Sequence, residues 1–96
     1  MINGNANDFI DKLSYEDHYV LFNGIKYFLN GCQVSKNGEG KVVSVRLEVY
    51  DLTNNVTIFS VTKSTISECL SGFQDAKIWN GKSFWDVEQD IEWVDD

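Results

Sequence analysis

The stretch YVLFNGIKYFL, residues 19–29, places an asparagine–glycine pair between two runs of β-branched, aromatic and aliphatic residues. Asn23-Gly24 suits a two-residue hairpin turn, because both central positions of such a turn must take positive φ angles. The stretch therefore predicts two antiparallel strands joined by a type I′ turn. This hairpin is the strongest local signal in the chain, and it indicates a fold built around an antiparallel sheet.

Two further strands are predicted downstream of the hairpin. Residues 41–50, KVVSVRLEVY, alternate between apolar and mostly polar side chains, as a strand with one buried face does. The residues expected to face the core are Val43, Val45, Leu47 and Val49. After the turn DLTNN, the run VTIFSVT should return as the next strand. The pair Asn30-Gly31 should either turn the chain or form a bulge before CQVS.

Helical patterns lie on both sides of these strands. Residues 7–16 bring three apolar side chains to one helical face, and Thr65 and Glu68 have the spacing of a capping box at the start of a helix that should end near Asp75. The sequence therefore predicts a single small α+β domain over residues 1–96. In it, an antiparallel meander of about four strands packs against an N-terminal and a C-terminal helix.

The C-terminal segment, residues 84–96, fits two conformations. As a helix capped by Ser83, it would align four apolar residues on one side. As a strand, it would alternate tryptophan, valine and isoleucine with acidic residues, and its propensities favour this state. We expect a short helix near 83–89, followed by an extended segment from Ile91 that can pair with residues 76–79, AKIW.

The negative charge of the chain is concentrated in this same segment. The net charge is −7, yet residues 1–83 hold nine acids and eight bases, whereas residues 84–96 hold six acids and no base. The six acids are Asp86, Glu88, Asp90, Glu92, Asp95 and Asp96. Such a field disfavours direct contact with a nucleic-acid backbone or an anionic membrane, and it favours a basic protein surface or a cation.

The cysteine count and the hydropathy pattern bear on location. No apolar run approaches the roughly 20 residues of a membrane span, and the first residues lack the basic and apolar regions of a secretory signal. Two cysteines, Cys32 and Cys69, are too few for a disulfide framework and are predicted to stay reduced. The expected location is the cytoplasm.

The motifs that could support catalysis or metal binding are incomplete. Asp86-x-Glu88-x-Asp90 has the opening spacing of an EF-hand loop, but Ile91 stands where that loop requires glycine. His18 could pair with a cysteine as a nucleophile and its base, but no local signature supports this arrangement, and we expect a surface histidine at the start of a strand. We therefore predict no catalytic site, no metal site and no cofactor, and the protein is not expected to be an enzyme.

The tryptophans Trp79, Trp85 and Trp93 have two interpretations. They could form a second small core beneath the C-terminus, or they could provide an exposed anchor rimmed by acids, since tryptophan is enriched at interface hot spots and charge steers association. The residues predicted to bind a partner are Trp85, Asp86, Glu88, Asp90, Glu92, Trp93, Asp95 and Asp96.

These features lead to two functional hypotheses. The first is a non-enzymatic acidic protein-binding module, an inhibitor that mimics nucleic acid by occupying a basic surface of a nucleic-acid-binding partner. Small phage-encoded anti-defence inhibitors and toxin-immunity proteins share this size and charge, which is a likeness of composition alone. The second hypothesis is a self-associating structural domain, a homodimer closed by the tryptophan-rich face or by an edge strand.

Overall fold

The structure of the protein is a computed structural model that describes residues 5–94. Its strands are β1 (His18–Phe22), β2 (Ile25–Leu29), β3 (Gln33–Lys36), β4 (Val42–Asp51), β5 (Val56–Lys63) and β6 (Glu92–Trp93). Its helices are α1 (Ala6–Leu13), α2 (Ile66–Asp75) and α3 (Phe84–Val87), and a 3₁₀ turn over Glu88–Asp90 follows α3. Within these residues, no helix is long and apolar enough to span a membrane.

The α+β class is confirmed, but the predicted number of strands was too low. The described residues form a six-stranded antiparallel sheet, where a meander of about four strands was expected, and three helices that roughly match the helical stretches predicted near 7–16, 66–75 and 83–89. The hairpin at residues 19–29 is present, with Phe22 paired to Ile25 across the turn. Asn23 and Gly24 have φ angles of 52° and 77°, the positive values that a type I′ turn requires.

One extra strand, β3, follows β2 after an interruption at Asn30-Gly31, the pair that was expected either to turn the chain or to form a bulge. β2 and β3 both pair with the edge of β4 that β5 leaves open, β2 near Val49 and β3 near Arg46. The interruption falls at Gly31, whose N–H donates a 2.7 Å hydrogen bond to Oδ1 of Asp17. A Cβ at Gly31 would overlap the backbone of Glu16, so only glycine fits where the chain after α1 lies against this position.

The core is one cluster of buried side chains between the helices and one face of the sheet. Val45, Leu47 and Val49 are buried in it as predicted. Val43, which was also expected to face the core, is 54% exposed. The strand pairing explains this error, because Ser44 pairs with Ser35 and Val42 with Lys36, which leaves Val43 as the extra residue of a β-bulge.

The C-terminal segment pairs with a different strand from the one expected. β6 pairs with β1, with Trp93 opposite Val20, and not with residues 76–79. In that run, Trp79 is instead paired with Lys82 across a tight turn. Asn80 and Gly81 form the turn with φ angles of 57° and 80°. This second asparagine–glycine turn reverses the chain locally, and the segment then reaches the free edge of β1.

Candidate protein-binding surface

The C-terminal segment is attached to the core by three apolar side chains at helical spacing. Phe84, Val87 and Ile91 are at most 4% exposed. The Phe84 ring stacks on Phe9 of α1 at 5.9 Å and packs against Phe73 of α2 at 5.5 Å between ring centroids. Burial of this face directs the polar residues of the segment outward. α3, the 3₁₀ turn and β6 together give the expected short helix followed by an extended segment.

Asp86 has a structural role at the start of α3. Its Oδ2 accepts hydrogen bonds from the backbone N–H of Ser83 at 3.4 Å and from the Ser83 hydroxyl at 3.0 Å. A carboxylate in the first turn of a helix is also favoured by the unpaired backbone N–H groups there. Asp86 thus helps to set the conformation of the segment while remaining exposed to solvent.

Trp85 is the exposed tryptophan of the segment. Its side chain is 46% exposed, and its indole N–H donates a 2.8 Å hydrogen bond to Oε1 of Gln74. Gln74 is itself oriented, because its Nε2 donates to the carbonyl oxygen of Leu70 at 3.0 Å. The Trp85 ring also meets the Phe84 ring edge-on at 5.1 Å. A large apolar ring is therefore held in a defined position at the surface, as a binding anchor requires.

The other two tryptophans pack in the main core and not in a second one. Trp79 is 1% exposed and lies edge-on to the rings of Phe22, Tyr27 and Phe73. Trp93 is half-buried, with its ring edge-on to Phe9 at 5.2 Å. Lys12 places its ammonium 5.6 Å from the centre of the Trp93 ring. Of the two tryptophans predicted to bind a partner, Trp85 therefore presents more of its ring to solvent.

The acidic side chains do not form an alternating row along one strand, because Asp86, Glu88 and Asp90 lie on helical turns and Glu92 lies on β6. Asp86, Asp90 and Glu92 are exposed and Glu88 is half-buried. Glu88 follows Trp85 by three residues and so lies on the same side of the helical turn. Among residues 5–94, no lysine or arginine forms an ion pair with these four acids. Asp95 and Asp96 lie outside the described residues.

We refer to Trp85, Asp86, Glu88, Asp90, Glu92 and Trp93 together as the acidic surface. Sequence reasoning found these residues by their types and their crowding. It missed Gln74, which positions the exposed ring. Gln74 precedes Trp85 by 11 residues on another helix, so no local pattern could have connected the two.

The histidine and the cysteines occupy packing positions. His18, expected at the surface, is 1% exposed and lies between the rings of Phe9 and Trp93. Both thiols are free, and the buried Cys69 Sγ donates to the Val45 carbonyl oxygen at 3.0 Å. Burial raises the pKa of Cys32 to about 11 and also raises the pKa of Cys69. Neither sulfur is therefore a thiolate near neutral pH, which is the form that nucleophilic chemistry requires.

The carboxylates do not assemble a cation site in the part of the chain that the structure describes. Residues 5–94 contain no group of three or more histidine, cysteine, aspartate or glutamate side chains arranged to hold a metal ion. Comparison of the chain with protein-family models, with curated proteins and with solved structures finds no match.

Proposed function

We propose that the protein is a non-enzymatic binding module whose acidic surface engages a basic surface of another protein, such as one that otherwise holds nucleic acid. The observation that carries the proposal is the position of Trp85. Its ring is 46% exposed, fixed by a hydrogen bond to Gln74, and followed by carboxylates that have no ion-pair partner among residues 5–94.

The two components of the acidic surface have separate physical roles. Concentrated negative charge accelerates the encounter with a basic partner through long-range attraction. Exposed ion pairs contribute only about 0–1 kcal/mol each, so charge alone gives little residence time. An aromatic ring that becomes desolvated in a pocket of the partner supplies the short-range attraction that prolongs the complex. Trp85 has the size and exposure for that role.

A pull-down from a cell lysate at two salt concentrations tests the proposal. The test variant reverses Glu88, Asp90 and Glu92 to lysine and leaves Asp86 in place, because Asp86 accepts the hydrogen bonds from Ser83. We expect the wild-type chain to retain a basic protein at low salt and to lose part of it at high salt. The variant should retain none at either salt concentration. Purified partner should then be released from its own nucleic acid by the wild-type chain.

A matched control separates local charge from net charge. Asp11, Glu16 and Glu39 are exposed acids outside the acidic surface, and their reversal to lysine changes the net charge by the same amount. The control variant should still capture the partner. Loss of capture in both variants would show that only net charge matters, and retention in the test variant would contradict the proposal.

A further inference from the structure

Three strands of the described sheet have a free edge, and these edges differ in length and in charge. β6 contributes two residues and lies within the acidic surface, and β3 contributes four exposed residues that end at Lys36. β5 contributes eight residues, Val56–Lys63, and among the described strands it pairs only with β4. A short, acidic edge repels further strands. A long open edge instead presents a continuous row of backbone N–H and C=O groups with which another strand can form hydrogen bonds.

β5 has few of the features that protect an edge strand. Residues 56–62 contain no charged residue and no proline, and Lys63 is the single charge of the strand. One protective feature is present. Val49 pairs with Phe59 while Tyr50 pairs with Thr57, so Ile58 is the extra residue of a bulge. The regular open edge is therefore residues 59–63, which is long enough for a five-residue ladder.

Apolar side chains continue from this edge onto the neighbouring helix. Phe59 and Val61 are half-buried on the core face of the sheet, opposite Val49 and Leu47. Ile66 and Leu70 of α2, the helix that packs on β5, are half-buried as well. A strand added beside β5 would cover both the open backbone groups and part of this apolar strip, which favours occupation of the edge by protein.

We infer that the occupant is a second copy of this chain, paired antiparallel to β5 about a two-fold axis near Val61. Two copies that each carry a net charge of −7 must meet on a surface without acids, and residues 56–63 carry a single charge, which is positive. In this register Ser60 lies opposite the partner's Thr62, so no like charges face each other. The nearest acid on the adjacent strand, Glu48, is neutralised by Arg46 at 3.0 Å.

Such a dimer is closed. The isologous contact uses both β5 edges, and the edges that remain free are short: the two β6 strands, which are acidic, and the two four-residue β3 strands. The inference does not depend on the proposed function. If both hold, the dimer presents two acidic surfaces at opposite ends of one continuous sheet, and it can bind a partner that offers two basic sites more tightly than a monomer does.

The test is sedimentation analysis over a range of concentrations, combined with amide hydrogen exchange. We expect a species of twice 11.0 kDa and exchange protection of residues 59–63 that increases with protein concentration. The double variant Ser60→Lys, Thr62→Lys should weaken the dimer by at least about tenfold, because it places like charges opposite each other. The variant Ser60→Glu, Thr62→Glu should do the same, and an equimolar mixture of the two variants should dimerise again.

The control variant is Gln33→Lys, Ser35→Lys, which places the same charges at exposed positions of β3 and should dimerise as the wild type does. Circular dichroism should show the wild-type fold for every variant. A single 11.0 kDa species at all concentrations would overturn the inference. So would a dimer that persists in the lysine variant, or protection of residues 59–63 that appears only when another protein is added.

Discussion

The indole N–H of Trp85 donates a 2.8 Å hydrogen bond to Oε1 of Gln74, and this bond joins the acidic surface to helix α2. Gln74 is held in turn by its own bond to the Leu70 carbonyl oxygen. The position of the exposed ring therefore depends on the longer helix as well as on the four-residue helix that carries it. A surface that is ordered before binding loses less conformational entropy on binding.

Replacing Gln74 by leucine should release the Trp85 ring. The substitution removes the acceptor, and a partly exposed hydrogen bond of this kind is worth about 1 kcal/mol or less, so the fold should remain intact. We expect the Trp85 indole proton to exchange with water several-fold faster by NMR. Gln74→Glu keeps an Oε1 acceptor but loses the Nε2 donor to the Leu70 carbonyl oxygen, so its rate should lie between those of the wild type and the leucine variant. Unchanged exchange in the leucine variant would show that packing on Phe84 alone holds the ring.

The hairpin at residues 19–29 gives a prediction about stability. Gly24 has a φ angle of 77°, and a Cβ there would meet nothing within 4 Å, so Gly24→Val should be unfavourable only through backbone conformation. The expected loss is about 1–2 kcal/mol of unfolding free energy, measured by denaturant titration. Gly38 also has open space around it, and its φ angle does not lie in the positive region. Gly38→Val should therefore shift the midpoint much less, and equal shifts would contradict the assignment of the turn.

Local chemistry explains which parts of the fold could be predicted. The Asn23-Gly24 turn, the Thr65 cap of α2 and the Ser83 start of α3 each depend on residues close together in sequence. The alternation of β4 likewise identified Val45, Leu47 and Val49 as core residues. In each case a short pattern has one favourable conformation, and the tertiary structure agrees with it.

The errors concern relationships between distant parts of the chain. The exposure of Val43 follows from the register of β3 against β4, and the burial of His18 follows from the rings of Phe9 and Trp93 that cover it. The partner of β6 was mistaken because the free edge of β1 is a property of the assembled sheet. The residues of the acidic surface could be named from their types and their crowding, but the exposure of Trp85 could not be predicted in this way.

Alkaline pH should destabilise the fold through Cys32. Burial, and secondarily the nearby Cys69, raise the pKa of the Cys32 thiol from 9.0 to about 11 in the folded state. Between these values the unfolded chain releases the thiol proton while the folded chain retains it. The free energy of unfolding therefore falls as the pH rises from about 9 to 11. Below pH 9 the thiol has no such effect.

Denaturation midpoints measured at several pH values should therefore decline less steeply for Cys32→Ala than for the wild type. Some slope should remain in the variant, because burial also raises the pKa of Tyr27 above 10.0. Identical slopes for the two proteins would show that the Cys32 thiol titrates alike in the folded and unfolded chains.

Charge and aromatic surface should affect different rate constants of partner binding. Reversal of Glu88, Asp90 and Glu92 to lysine removes the attraction that steers the encounter, so we expect association at low salt to slow by at least about tenfold. The dependence of that rate on salt should largely disappear, since exposed charges are screened beyond about 8 Å at physiological ionic strength. Trp85→Ala should instead raise the dissociation rate and change the association rate little. The ring becomes buried by the partner only after contact, so it stabilises the complex without accelerating the encounter. Surface plasmon resonance with the purified partner measures both rate constants.

If neither variant changes these rate constants, the acids serve only solubility. The contact should then be sought on the sheet face opposite the core, where Tyr19, Phe28 and Tyr50 lie in register on adjacent strands.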